Sequence, residues 1–129
     1  MNNQVQNLYA KTQVNTAHPG ELTLMLYNGC IKFMKQAIKD TENKDFESKN
    51  YHIQRSVDII DELQITLNMD YEISQNLFRL YTFVKEQLME ANIKLNKGSL
   101  ESAIHFMSEL RDAWAQALKE VKSNAKVSV

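Results

Sequence analysis

The sequence predicts an all-α fold, an antiparallel up-down four-helix bundle with a short N-terminal helical cap. Three observations predict it. Apolar residues recur at helical spacing through four long stretches, and no alternating strand pattern competes with them. The chain has only three glycines and one proline. Each sits where a helix would start, finish or approach a neighbour closely. The four stretches are matched in length, about 21–25 residues or roughly 30–38 Å at 1.5 Å per residue. Short connections between them favour antiparallel neighbours. At 129 residues the chain is read as one domain: an arm over 1–17, the bundle over 18–122 and a flexible tail over 123–129.

The arm carries one charged residue, Lys11, and a thin apolar set of Val5, Leu8, Tyr9 and Val14. It is too sparse to fold alone, so it is either a loose terminus or a detachable cap. The first bundle helix, about Pro19–Lys39, opens with Pro19 near its first position and Glu21 in its first turn. Its pattern is unusual. Leu22, Leu26, Gly29, Phe33 and Ala37 form one stripe, while Leu24, Tyr27, Ile31, Met34 and Ile38 form a second on nearly the opposite side. The polar arc is Glu21, Asn28, Lys32, Lys35 and Lys39. A bundle helix normally needs one apolar stripe, so the second is expected to be covered by something outside the core.

Asp45 suits an N-cap for the second helix, whose Phe46, Ile53, Val57, Ile60, Leu63 and Leu67 face inward as it runs to about Asn68; Tyr51 and Ile65 lie on its far side. The third helix, about Glu72–Leu95, places Ile73, Leu77, Leu80, Val84, Leu88, Ala91 and Leu95 on its main stripe, with Phe78, Met89 and Ile93 off it. Gly98 suits a C-terminal cap and Ser99 an N-cap for the fourth helix. That helix, about Leu100–Lys122, offers Leu100, Ala103, Ile104, Met107, Leu110, Trp114, Ala117, Leu118 and Val121.

Fifteen Lys and Arg against sixteen Asp and Glu leave no charge signature of a nucleic-acid or anionic-membrane binder. The single Cys30 excludes a disulfide framework and suits a reducing cytosol. No signal pattern or spanning run is present, so secretion and membrane insertion are not expected. His18, His52 and His105 lack Glu-x-x-His or His-x-x-x-His spacing, and the carboxylates do not form a di-iron arrangement. Asp58, Asp61 and Glu62 read as a solvated face, and Cys30 as a buried small hydrophobe. With no phosphate loop or nucleophile constellation, neither catalytic residues nor a cofactor is expected. The chain is read as a non-enzyme.

Apolar surface in excess of one core remains. Its candidate binding residues are Leu24, Tyr27, Ile31, Met34 and Ile38 on the first helix, Met89 and Ile93 on the third, and Leu8 and Tyr9 on the arm as their removable cover. This reading predicts that Ile31→Asp costs binding far more than stability.

Four strings occur together in order: Val14-Asn15-Thr16-Ala17-His18-Pro19-Gly20-Glu21-Leu22, Met25-Leu26-Tyr27-Asn28-Gly29, Glu90-Ala91-Asn92-Ile93-Lys94 and Leu110-Arg111-Asp112-Ala113-Trp114. Their set and spacing resemble the flagellar export chaperone family, FliS, over about Tyr9 to Leu118. One departure is His18, where relatives commonly carry a small capping residue. The resemblance implies the same bundle with an N-terminal cap. It also implies a cytosolic chaperone that binds the disordered C-terminal region of flagellin, prevents premature polymerisation and aids delivery to the flagellar type III export apparatus. The export gate is a further partner on this reading, and the chain is a monomer or weak homodimer. The cap would be displaced by the client in helix-in-groove recognition. Asn92 and Arg111 fit either polar positioners or contacts within the bundle. A homo-oligomeric structural bundle, with the second stripe buried against its own copy, is the rival reading.

Overall fold

The computed structural model describes residues 19–127, and the arm with Leu8 and Tyr9 lies outside the described residues. Four helices follow in order: α1 (Pro19–Glu42), α2 (Phe46–Ile65), α3 (Glu72–Lys94) and α4 (Lys97–Val127). The backbones pack around a ring, α1 on α2, α2 on α3, α3 on α4 and α4 on α1, with the diagonal pairs held apart. This is the predicted up-down bundle. Of the four contacts, α2 on α3 is the slightest.

The connections follow from local chemistry. Asp45 accepts a bond from the Ser48 amide at 3.2 Å and starts α2, as its short acidic side chain favours. Lys44 just before it takes a left-handed φ of 57°, which lets Asp45 N–H reach back to the Asp40 carbonyl. α2 stops at Ile65, short of Asn68, with Thr66 at its C-cap donating its amide to the Glu62 carbonyl at 3.2 Å and its hydroxyl to the Leu63 carbonyl at 2.9 Å.

The α3–α4 corner differs from expectation. Leu95, with φ 53°, terminates α3, and Asn96 caps α4 by accepting from the Ser99 amide at 3.3 Å. Gly98 and Ser99 therefore lie inside the first turn of α4. Gly98 serves the cap another way: a Cβ there would stand 3.1 Å from Asn96 Oδ1, so the missing side chain leaves room for the capping carboxamide. At its other end α4 continues as helix through Ser123 to Val127, within the stretch expected as a tail.

The core explains the double-striped helix. The two stripes of α1 are the flanks of one broad buried arc, centred on Cys30, which is fully buried. On one flank lie Leu26 and Ala37, with Phe33 stacked on His52 of α2 at 6.0 Å. On the other lie Tyr27, Ile31 and Met34, with Tyr27 edge-on to Trp114 of α4 at 6.3 Å. A helix with a neighbour on each side buries about half its circumference. Periodicity alone presents that arc as two stripes.

Elsewhere Ile53, Ile60, Leu63, Val84, Leu88, Ala91, Leu100, Ala103 and Met107 are buried as expected. Phe46, Ile73, Leu95 and Val121 are exposed instead. On α3 the buried arc is rotated toward Ser74 and Tyr81, which carries Ile73 out to solvent.

Candidate functional site

The nine residues expected to bind or cover a partner separate into five groups. Leu8 and Tyr9 fall outside the described residues. Tyr27, Ile31 and Met34 are core residues, no more than 3% exposed. The stripe they form is thus not vacant: α4 and α3 cover it, and the expectation of an uncovered groove along it is corrected. Ile38 is half-buried and packs against the same core. Leu24 is half-buried in a cleft between α1 and α4, while Met89 and Ile93 stand exposed on α3, on the far side of the bundle.

Apolar side chains are exposed at both ends of the bundle, Phe46, Met89, Ile93 and Leu95 toward one and Ile65, Met69, Tyr71 and Ile73 toward the other, where α1 begins, α2 ends, α3 begins and α4 ends. A pocket of about 290 Å³ opens there, floored by Tyr27, Tyr81, Leu63 and Trp114 and rimmed by Leu67 and Ile73. The Tyr27 and Tyr81 hydroxyls share a 2.6 Å hydrogen bond, which joins the diagonal pair α1 and α3 through side chains alone. Burial pushes both phenols up; the bond from Tyr81 works against this at Tyr27, and Tyr27 adds to it at Tyr81. Both hydroxyls therefore stay neutral and serve as hydrogen-bonding groups. Trp114 donates its indole N–H to the Gly20 carbonyl at 2.8 Å and so fixes the first turn of α1 to α4. Ile65, Met69, Tyr71 and Ile73 project into solvent at this end.

The α1–α4 cleft shares that end. It measures about 580 Å³ and is lined by Leu24, Met25, Asn28, Ala115 and Leu118, with Lys122 ion-paired to Glu21 across its mouth. Of the residues expected in a groove, Leu24 lines this cleft; Met25, Tyr81 and the α2–α3 connection were not among them. The signal for Tyr81 was present: it stands four residues after Leu77 and three before Val84, on the core arc.

The other candidates are structural. Cys30 leans on the Ser56 carbonyl, with S···O 3.7 Å, and burial pushes its thiol up to about 12, which removes nucleophilic character at neutral pH. Arg111 bonds Asn28 and Asp112, and the Asn92 carbonyl accepts from Lys49 at 3.1 Å. The Asn92 side-chain oxygen is buried without a partner. Among the described residues no group of three or more His, Cys, Asp or Glu is placed to hold a metal. No described helix is long and apolar enough to cross a membrane.

Comparison with known proteins adds a further finding. The family model described as "Flagellar protein FliS" matches residues 1–121. The "Flagellar secretion chaperone FliS" of Bacillus subtilis is 42% identical over 116 residues, covering 90% of this chain and 87% of that protein. The protein of the same name from Campylobacter jejuni is 31% identical over 129 residues, covering 98% of each. A solved structure, "Crystal structure of flagellar chaperone from bacteria", superposes with a TM-score of 0.74 at 19% identity, covering 91% of this chain and 97% of that one. At that identity the structural likeness speaks to the fold.

Proposed function

The chain belongs to the FliS family of flagellar chaperones and is not an enzyme, and on that premise we propose that it binds the C-terminal segment of flagellin in the cytosol, holds it from premature polymerisation and passes it to the flagellar export apparatus. The observation that carries this reading is the apolar surface at one end of the bundle, where the α1–α4 cleft and the tyrosine-floored pocket open on separate faces.

A segment that orders on binding loses conformational entropy, so its receptor must offer substantial apolar surface. Each fully buried large aliphatic or aromatic side chain contributes roughly 1.5–3 kcal/mol. Six to eight such contacts suffice for roughly a few helical turns. Leu24 and Met25 in the cleft and Ile73 and Leu77 at the pocket mouth supply several of them. Met89 and Ile93 on α3 extend the apolar surface for a client long enough to pass round the bundle.

α1 begins at this same end, and on this reading Leu8 and Tyr9 of the preceding segment supply a cover that flagellin displaces. The rounded arc of α1 alters which of its residues face the client: on this reading Leu24 faces it and Tyr27 floors the pocket, while Ile31, Met34 and Ile38 belong to the core packing.

Titration calorimetry with flagellin retaining or lacking its C-terminal segment tests the proposal. Binding is expected only with the segment present, weakened about tenfold by Leu24→Asp and strengthened by deletion of residues 1–12. A dimer in sedimentation that ignores flagellin would support the homo-oligomeric structural bundle instead.

A further inference from the structure

The C-terminal half of α1 presents charge that the bundle does not use. Asn28, Lys32, Lys35 and Lys39 lie on one helical stripe, at successive spacings of four, three and four residues. Together with Arg111 of α4 and Gln36 they line a groove of about 420 Å³, and no carboxylate lines it. Lys32, Lys35 and Lys39 form no ion pair among the described residues. Arg111 is held at the groove edge by its bonds to Asn28 Oδ1 at 3.2 Å and Asp112 Oδ1 at 3.0 Å. The nearby Asp40 is buried and committed to His52 and Gln36, so it does not neutralise the row. Ile31, buried in the core, lies at the base of the groove.

We propose that this groove docks an acidic helical segment of a second protein, distinct from the client bound at the open end. Shape and charge select that occupant. Lys32 to Lys39 spans about 10 Å along the helix, two turns, which matches carboxylates at i, i+3 and i+7 on a partner helix. An anionic membrane would favour a broad basic face flanked by exposed apolar residues for insertion. Here the cations follow one narrow stripe, in a chain whose net charge is −1. A nucleic acid requires a longer basic track. Unpaired lysines opposite carboxylates steer encounter and fix register more than they add affinity, which suits a transient contact with a protein that meets the chaperone while it is loaded. A client at the open end makes this partner a second one; the groove's preference for acid stands without it.

The experiment uses the full chain and a synthetic amidated helical peptide with Glu at i, i+3 and i+7 among Ala and Leu, beside its Gln counterpart. Amide NMR of the isotope-labelled chain is expected to show shifts confined to residues 28–39 and the Arg111 region. The Glu peptide should bind about tenfold tighter than the Gln peptide, and that margin should vanish near 0.5 M salt. Triple charge reversal of Lys32, Lys35 and Lys39 to Glu abolishes the preference; the triple Gln variant, milder on folding, halves it or more. Equal binding of the two peptides, shifts mapping elsewhere, or unchanged binding by both variants overturns the proposal. Tighter binding to anionic phosphatidylglycerol vesicles or to single-stranded DNA than to the Glu peptide overturns the choice of occupant. Repeating the titration on chaperone saturated with the flagellin segment separates the two sites. Additive binding supports a second partner, and mutual exclusion assigns the groove to the client. Neither arm depends on whether flagellin binds at the open end.

Discussion

The two ends of the bundle solve the closing of four helices in different ways. Where α1 meets α2 and α3 meets α4, the chain is tied by polar bonds. His52 meets the buried Asp40 carboxylate at 2.6 Å, and Lys49, 3% exposed, reaches the Asn92 carbonyl in the last turn of α3. Asp45 and Asn96 cap the helices that start there. At the opposite end the contacts are aromatic and aliphatic, with a pocket left open between Tyr27, Tyr81 and Trp114 and four large apolar residues in solvent around it. Buried polar groups favour defined partners, and at the first end Asp40 and Lys49 have them, although the Asn92 side-chain oxygen does not. The second is held by apolar packing around a pocket. The contrast is between polar ties at one end and apolar contacts at the other.

The largest effect is expected on the spine that joins them. Ile31 is 3% exposed and held between α1 and its neighbours, so Ile31→Asp places a carboxylate in the core and should cost more than about 4 kcal/mol. Urea unfolding is expected to find little folded protein. This reverses the expectation from sequence, in which Ile31 faced a removable partner. A stable Ile31→Asp protein with lost flagellin binding would restore the groove to this stripe and erase the contrast between ends.

Next comes the closed end. Burial pushes the Asp40 carboxyl up, but the bonds donated by His52, Ser48 and Gln36 outweigh it and hold the group below the usual carboxylate range. A depressed folded pKa contributes stability above the unfolded value, near 4, and that contribution is lost as pH falls through the folded value. Asp40→Asn is therefore expected to lower stability by about 2–3 kcal/mol at neutral pH and to flatten the loss between about pH 5 and 3. Flagellin affinity should not move. An unchanged acid profile would show that the pair does not close this end.

At the open end the ordering of effects inverts. Ile73 is 68% exposed, so Ile73→Ser should change stability by less than about 0.5 kcal/mol yet weaken flagellin binding about fivefold. A stability loss without a change in affinity would make this end part of the core.

How much of this was legible follows from what sequence patterns encode. Four helices, their order and most of the inward residues came from period alone, because burying an apolar face is what the pattern records. The breadth of the α1 arc was misread because a helical wheel shows how many residues are apolar but not how many neighbours cover them. The corner at Leu95–Asn96 was missed because Gly98 and Ser99 are the stronger generic signals, while the winning cap depends on a carboxamide reaching over a glycine. The Tyr27–Tyr81 bond and the Asp40–His52 pair join residues 54 and 12 positions apart. Neither separation carries a periodic signature. The open end was not anticipated, since a pocket at the junction of four helix ends has no contiguous sequence.

The smallest effect separates charge from burial at the closed end. Lys97 and Glu42 pair at 2.8 Å across the same end as Asp40 and His52, and the pairing raises the Lys97 amine above its ordinary value. The distances are similar, but the side chains of Lys97 and Glu42 are about half exposed, whereas Asp40 is 7% and His52 18% exposed. Water and salt screen the first pair, and ordering two long side chains costs entropy, so such contacts contribute little. Lys97→Ala should leave the urea midpoint within its measurement error and flagellin affinity unchanged. If it destabilises the protein as much as Asp40→Asn, exposed charge rather than buried hydrogen bonding closes that end, and added salt should then destabilise the wild type to match.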